Sequence, residues 1–160
     1  MGEDLLMKIE YMYTGLIVFL FSALASGVSA EVVTEDVVYQ HDGVKMHGMM
    51  AYDDSLRAPA PGVLVVHEWW GHNTYARERA KRLASEGYVA FAVDMYGDGK
   101  TADHPSEAGT FASAVGGDIP LARARFEAAL AILNKNKHVD KSKTAAIGYC
   151  FGGGIVLNMA

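Results

Sequence analysis

The distribution of apolar and polar positions divides the chain into short elements of alternating type. Residues 31–52 contain two β-rich runs on either side of Asp42-Gly43, a dipeptide typical of a hairpin turn. Three later runs have the continuous apolar character of buried parallel strands, namely VLVVH at 63–67, YVAFAVD at 88–94 and KTAAIGY at 143–149.

Helical patterns occupy the stretches between these strands. Asn73 or Thr74 can cap a helix that ends before Gly87 and whose buried face carries Ala76, Ala80, Leu83 and Ala84. Asp118 and Pro120 begin a second helix, rich in alanine and leucine. Residues 95–109 are predicted to form a loop, and IVLNMA at 155–160 to open a last helix.

The alternation of strands and helices predicts an α/β fold, with a parallel sheet covered by helices on both faces. In such sheets the active site lies at the carboxyl ends of the strands. The loops that follow His67, Asp94 and Tyr149 are therefore the ones expected to carry function.

The first thirty residues (1–30) differ in pattern from the rest. Residues 14–30 carry no charge, and their apolar part is too short for a comfortable membrane span but suits a signal peptide. Small residues at 28–30 favour cleavage after Ala30, and a start at Met7 would give a more basic flank. We therefore expect export with cleavage; an uncleaved membrane anchor is the alternative.

Composition and charge narrow the class of protein. The 160 residues, 51% apolar and 21% charged, suffice for one domain, which we place at 31–160. A net charge of -5 gives no reason to expect a nucleic-acid partner, and no membrane contact is expected beyond the signal segment. The single cysteine, Cys150, cannot form an internal disulfide, so it is either buried and inert or a free thiol used in chemistry.

Cys150 lies between a predicted strand and a predicted helix, in GYCFG at 148–152. The stretch fits G-x-nucleophile-x-G, a tight turn whose flanking positions must be nearly free of side chain. The helix that follows would direct its N-terminal amides at the sulfur and favour the thiolate, and the Phe151 N–H would donate to an oxyanion. A buried structural cysteine is the alternative; a phosphate-binding loop is disfavoured because it lacks the Lys-Ser/Thr pair.

A second motif, HEWWGHN, begins at His67 after the first predicted parallel strand. His67 and His72 are five residues apart, not the four of H-E-x-x-H, so no metal site is expected. The backbone N–H of Trp69 is the second candidate oxyanion donor. Its side chain and that of Trp70 either wall an apolar pocket or pack the loop.

Glu68, in the same motif, stands at the end of a buried strand beside the predicted nucleophile. A carboxylate at this place could hold the thiol proton. The alternative is a loop salt bridge with Arg77 or Arg79.

Three motifs, HEWWG, DMYG and GYCFGG, stand in an order that resembles the dienelactone hydrolase family. The resemblance runs from about Asp36 to Ala160. It implies an α/β-hydrolase three-layer fold with a mostly parallel sheet, a Cys-Asp-His triad and no metal or cofactor. It also implies four site residues: Cys150 as nucleophile, Glu68 in contact with the resting thiol, and Trp69 and Phe151 as the oxyanion amides.

The resemblance further implies a small-molecule substrate. Family members open enol-lactones, and those acting on dienelactone use an arginine in the loop after the second parallel strand. That loop reads Tyr96-Gly97-Asp98-Gly99 here, without an arginine. We therefore expect a broader ester or lactone substrate.

The chain order of the triad raises a further expectation. In this fold the acid and the histidine follow the nucleophile, yet all six histidines precede Cys150 and no acidic residue follows it. We expect an N-terminal portion cut after the nucleophile turn, with the missing partners beyond Ala160; His67 as a substitute base is the alternative. The hypothesis is an exported cysteine-dependent ester or lactone hydrolase, against a non-catalytic small-molecule-binding domain or an inactive fragment. The oligomeric state stays open.

Overall fold

The computed structural model describes residues 31–160, so the predicted signal segment lies outside the described residues. Five strands and four helices follow one another: β1 (Val32–His41), β2 (Val44–Asp53), β3 (Ala60–Val66), α1 (Thr74–Ser85), β4 (Val89–Val93), α2 (Pro105–Gly116), α3 (Ile119–Leu133), β5 (Val139–Gly148) and α4 (Phe151–Met159). Within this part of the chain, no helix is both long and apolar enough to cross a membrane.

The strands form one mixed sheet in the order β1-β2-β4-β3-β5. β3 lies between β4 and β5 and runs parallel to both, whereas β2 pairs antiparallel with β1 and with β4. The β1–β2 turn has φ 48° at Asp42 and 75° at Gly43, and the positive values explain why this dipeptide connects the strands. The predicted α/β fold is confirmed, with its parallel part at the three strands predicted to be buried.

Helices cover both faces of the sheet because the buried strands are apolar on both sides. In β4, Ala90 and Ala92 pack in one core cluster with Ala80 and Ala84 of α1. Phe91 and its alternate neighbours face the opposite cluster, which contains buried residues of α2, α3 and α4. The result is three layers, with α1 alone on one side and the other helices together on the second.

The helix starts follow the predicted caps. The Asn73 side chain accepts hydrogen bonds from the amides of Tyr75 and Ala76, and the Asp118 side chain accepts one from Leu121. Both helices therefore begin where the sequence predicted, with their exposed N-terminal amides satisfied by a side-chain oxygen.

Helix α2 corrects the prediction of a loop over residues 95–109. Its cap is His104, whose side chain accepts a hydrogen bond from Ser106, and Pro105 occupies the first turn, where a missing N–H costs nothing. Two other elements begin earlier than the sequence predicted. β5 begins at Val139 and not at residue 143, and α4 begins at Phe151 and not at residue 155. The glycines after Cys150 are thus part of the last helix.

Candidate active site

Cys150 occupies the junction of β5 and α4 in an unusual backbone conformation. Its φ is 52° and its ψ is -118°, and among residues 31–160 the other non-glycine residues with positive φ are Asp42 and Asp98. Aspartate tolerates this region better than cysteine does, so the conformation of Cys150 is strained. The thiol is exposed, and its sulfur makes no capping hydrogen bond to α4. The turn therefore presents a free sulfur to solvent.

Two glycines make this turn possible because backbone passes directly over their α-carbons. A Cβ on Gly152 would lie 2.6 Å from the His67 carbonyl oxygen and closer still to that of Val66. A Cβ on Gly148 would overlap the backbone of Gly152 itself. The close approach seats the start of α4 directly against the end of β3. It thereby brings Cys150 to the edge of the sheet from which Glu68 and Trp69 continue.

The amides predicted to bind an oxyanion are not used in the fold. Around the turn, Gly152 N–H donates to the Tyr149 carbonyl and Gly154 N–H to that of Cys150. Within residues 31–160, neither the Phe151 amide nor the Trp69 amide donates a hydrogen bond to a backbone oxygen outside the regular elements. Two donors from different loops are thus left for a ligand on the Cys150 side of the sheet.

Tyr96, in the loop after β4, joins the other two loops. Its hydroxyl donates a 2.9 Å hydrogen bond to the Trp69 carbonyl, and its ring lies 5.3 Å from that of Phe151. Burial, and secondarily a negative charge on Cys150, raises the pKa of the phenol above its ordinary value. The hydroxyl therefore stays protonated and keeps donating to the loop that carries Trp69.

The loop after β4 is shaped by a carboxylate that the sequence analysis did not single out. Asp94 is fully buried, and its two oxygens accept hydrogen bonds from four backbone amides, of His47, Tyr96, Gly97 and Gly99. A second missed residue, Arg125 of α3, donates through Nη1 to the carbonyls of Met95 and Tyr96, both at 2.8 Å. The Asp94 carboxylate therefore binds amides of this loop, and the Arg125 guanidinium binds two of its carbonyl oxygens.

The sequence contains weak indications of the roles of both Asp94 and Arg125. Asp94 ends an apolar strand and precedes Gly97 and Gly99, which suits a carboxylate that accepts amides from a tight loop. Arg125 stands at helical spacing with Ala122 and Ala129, on the buried face of an alanine-rich helix, where an unpaired arginine is unexpected. Neither signal indicates which atoms the side chain contacts, because those atoms belong to distant segments.

His67 is a structural residue at the centre of the site. Its Nδ1 is bonded to the Glu68 carbonyl, its Nε2 accepts from the Met95 amide at 3.2 Å, and its ring stacks on Phe151. Burial lowers the pKa of His67 to about 4. Both ring nitrogens are therefore occupied, and the ring is neutral at pH 7. The alternative in which His67 serves as the base of Cys150 does not fit this geometry.

Glu68 does not form the salt bridge considered as its alternative role. Arg77 pairs with Asp36 at 2.6 Å, and Arg79 donates to the Tyr75 hydroxyl at 2.7 and 3.0 Å. The Glu68 side chain is half-buried and takes part in no ion pair or hydrogen bond within residues 31–160. The carboxylate has no partner in this part of the chain, the Cys150 thiol included, so its contact with the resting thiol stays a prediction.

The two histidines of the HEWWGHN motif point to different partners. His72 Nε2 lies 3.3 Å from Arg77 Nη1, while both nitrogens of His67 are bonded to backbone. Across residues 31–160, no group of three or more His, Cys, Asp or Glu side chains is placed to hold a metal ion.

Comparison with known proteins identifies relatives of this arrangement. The family model described as "Dienelactone hydrolase family" matches residues 46–160. The chain is 34% identical to "Protein usf" of Aquifex pyrophilus over 128 residues, which cover 78% of this chain and 54% of that protein.

Solved structures of dienelactone hydrolase-like proteins also resemble this chain. A dienelactone hydrolase-like promiscuous phosphotriesterase from metagenomic libraries is 38% identical, with a TM-score of 0.77, and the match covers 82% of this chain and 54% of that one. A structure titled "m3DLH" is 36% identical with a TM-score of 0.77, over 81% of this chain and 54% of that one. The chain spans about half the length of the curated relatives it matches.

The depressed pKa of His67 predicts a specific pH dependence of stability. The unfolded chain binds a proton at His67 near pH 6.5 and the folded chain only near pH 4, so unfolding takes up a proton between these values. The contribution is complete above pH 6.5 and is lost as the pH falls towards 4, by about 3 kcal/mol. Urea unfolding at a series of pH values should therefore show a flatter dependence for His67→Gln than for the wild type.

His41→Gln is the matched control, since it removes an imidazole at the end of β1, in the hairpin and away from the site. His72, whose pKa is lowered by burial and by Arg77, leaves a residual slope in both variants. A His67→Gln slope equal to that of the wild type would show that His67 is not held neutral in the folded protein.

Proposed function

The chain belongs to the dienelactone hydrolase family, and on that premise we propose that it cleaves carboxylic ester or lactone bonds through the thiolate of Cys150. One observation carries the proposal: an exposed sulfur on a strained residue, φ 52°, at the start of a helix. Strain of this kind is retained where the conformation serves chemistry. A cysteine with only a packing role would be buried and would adopt an ordinary strand or helix conformation.

In the proposed reaction, Sγ of Cys150 attacks the carbonyl carbon of the ester. A C–S bond forms, and the electron pair of the C=O bond moves to the oxygen, which accepts hydrogen bonds from the Trp69 and Phe151 amides. When the C=O bond re-forms, the ester C–O bond breaks and the alcohol oxygen leaves with a proton. Water then attacks the thioester carbonyl carbon and the C–S bond breaks; the hydroxyl of the water stays on the carboxylic acid, and its other proton re-forms the thiol.

The oxyanion site is supported by the two unused amides. Trp69 lies in the loop after β3 and Phe151 is the first residue of α4, and the Gly152 contact holds the start of α4 against the end of β3. Preorganised donors of this kind are worth a factor of about 100 to 1,000 in rate for each hydrogen bond. The Tyr96 hydroxyl, bonded to the Trp69 carbonyl, is a positioning group for the first of them.

The proposed reaction needs proton transfer at two stages, when the thiolate forms and when the thioester is made and hydrolysed. Glu68, with a carboxylate free of other partners, takes the thiol proton and so yields the thiolate; the positive end of α4 stabilises it. The later proton transfers need a histidine, and His67 does not fit that role because both of its ring nitrogens are bonded to backbone groups. Export through the signal segment stays a prediction.

The side chains that line the site indicate the substrate class. Trp69 and Trp70 are half-buried, with ring centroids 5.2 Å apart, and offer an apolar surface beside the oxyanion amides. Residues 96–99 of the loop after β4 include no arginine to bind a substrate carboxylate, so we include esters and lactones without one in the proposed class. Small apolar esters and lactones fit these features.

Replacement of the nucleophile is the direct test. With p-nitrophenyl acetate, the wild type should form a thioester at Cys150, detected as one added acetyl group by intact-mass spectrometry. Cys150→Ala should form none, and the rate of p-nitrophenol release should fall at least about a thousandfold.

A thioester can form only at Cys150, because it is the only cysteine of the chain. A wild type that gains no acetyl group would favour the non-catalytic binding domain instead. Acetylation that survives in Cys150→Ala would remove this residue as the nucleophile.

Removal of the Tyr96 hydroxyl tests the positioning of Trp69. Tyr96→Phe keeps the ring on Phe151 but releases the Trp69 carbonyl, so the acylation rate should fall about tenfold while KM changes little. Tyr88→Phe, at an exposed tyrosine, is the control and should behave like the wild type. Unchanged acylation in Tyr96→Phe would mean that the hydroxyl does not position the oxyanion donor.

A further inference from the structure

Arg125 is buried without a charged partner. It is 8% exposed, and only its Nη1 forms hydrogen bonds, to two backbone carbonyls of the loop after β4. Its Nε is buried with no hydrogen-bond partner in residues 31–160, and no carboxylate there forms a salt bridge with it. Asp94, the buried carboxylate of the same loop, is occupied by backbone amides. A buried guanidinium with free donors is costly unless something else binds it.

A cavity of about 180 Å³ lies against this arginine. Its apolar walls are Phe111 and Val115 of α2, Leu121 of α3 and the ring of Tyr96. Lys100 stands at the rim, half-exposed, and its Nζ is 3.6 Å from Asp98, too far for a hydrogen bond. The cavity thus combines apolar walls with a buried guanidinium and with an ammonium group whose ion-pair partner is Asp98.

Size and charge together define a ligand class. An apolar cavity of about 150 Å³ accommodates benzene, so this volume holds one six-membered ring with a small substituent. Arginine and lysine donors favour a carboxylate as that substituent. We propose that the cavity between α2, α3 and the loop after β4 is a binding site for small carboxylates with an apolar body, such as arylcarboxylates. Arg125 and Lys100 hold the carboxylate, and Phe111 and Leu121 contact the ring.

The site is separate from the Cys150 turn, and the proposal does not rest on the chemistry proposed there. Tyr96 lies between the two, with its ring 5.5 Å from Phe111 on the cavity side and 5.3 Å from Phe151 on the other. A bound ring would pack against Tyr96 without blocking the thiol. Cys150→Ala should therefore bind the carboxylate as the wild type does.

Sodium benzoate is the probe. Titrated into the full chain and followed by ¹H–¹⁵N correlation spectra, it should shift the amide signals of Tyr96, Lys100 and Phe111. Benzamide, which has the same shape but no charge, should bind at least about tenfold more weakly, the ratio expected for one charge-assisted hydrogen bond. Acetate, which has the charge but no ring, should bind more weakly as well. Benzamide binding as tightly as benzoate would overturn the proposal.

Variants locate the site without disturbing the bonds of Arg125 to the loop. Lys100→Gln removes one charge, and Ala114→Phe adds a ring at the exposed mouth of the cavity. Each should weaken benzoate binding at least about tenfold. Lys137→Gln and Ala131→Phe make the same changes at exposed positions outside the cavity and should bind like the wild type. Unaltered binding in both cavity variants, or amide shifts confined to other surfaces, would contradict the proposed site.

Discussion

The arrangement of the site depends on one backbone contact, between Gly152 at the start of α4 and the carbonyl oxygens of Val66 and His67 at the end of β3. No side chain fits in this space, so the helix reaches the strand only because the position is glycine. The contact determines where α4 begins and forces Cys150 into its positive φ. It also sets the distance between Phe151, the first residue of α4, and the loop that carries Trp69. The proposed nucleophile and the proposed oxyanion donors are therefore consequences of a single close approach.

Hydrogen bonds from the loop after β4 add rigidity to this contact. The Asp94 carboxylate accepts backbone amides, Arg125 donates to backbone carbonyls, and Tyr96 reaches from the same loop to the Trp69 carbonyl. Hydrogen bonds thus join the loops after β3 and β4, and the contact of Tyr96 with the Phe151 ring joins them to the turn after β5. His67 lies at their centre and contributes both ring nitrogens to backbone groups. A preorganised unit of this kind suits chemistry in which donors must stand in place before charge develops.

Local features of the sequence predicted most of the fold, because their causes lie within a few residues. The Asp42-Gly43 turn and the caps at Asn73 and Asp118 depend on short-range geometry, and all were confirmed. Helix α2 was missed because Pro105 and Gly109 suggested a loop, although proline suits a first turn and the helix packs against α3, α4 and the ring of Tyr96. Tertiary packing outweighed local preference there.

The site was predictable only in part. The glycines around Cys150 identified the turn, since their spacing has a steric cause. The contacts of Asp94 and Arg125 join segments up to 47 residues apart, and no spacing rule reports them. The role of Glu68 was left between two alternatives because sequence does not say that Arg77 pairs with Asp36. Long-range pairing is decided by the assembled fold.

The most direct measurement compares the acylation rate of Cys150 by p-nitrophenyl acetate in two alanine variants of α4. A Cβ at Gly152 meets the β3 carbonyls, whereas a Cβ at Gly154 meets nothing within 4 Å. With folding verified by circular dichroism, Gly152→Ala should lose acylation by about a hundredfold or more, since the oxyanion donors separate. Gly154→Ala should retain the wild-type rate. Wild-type acylation in a folded Gly152→Ala variant would contradict the role given to the contact.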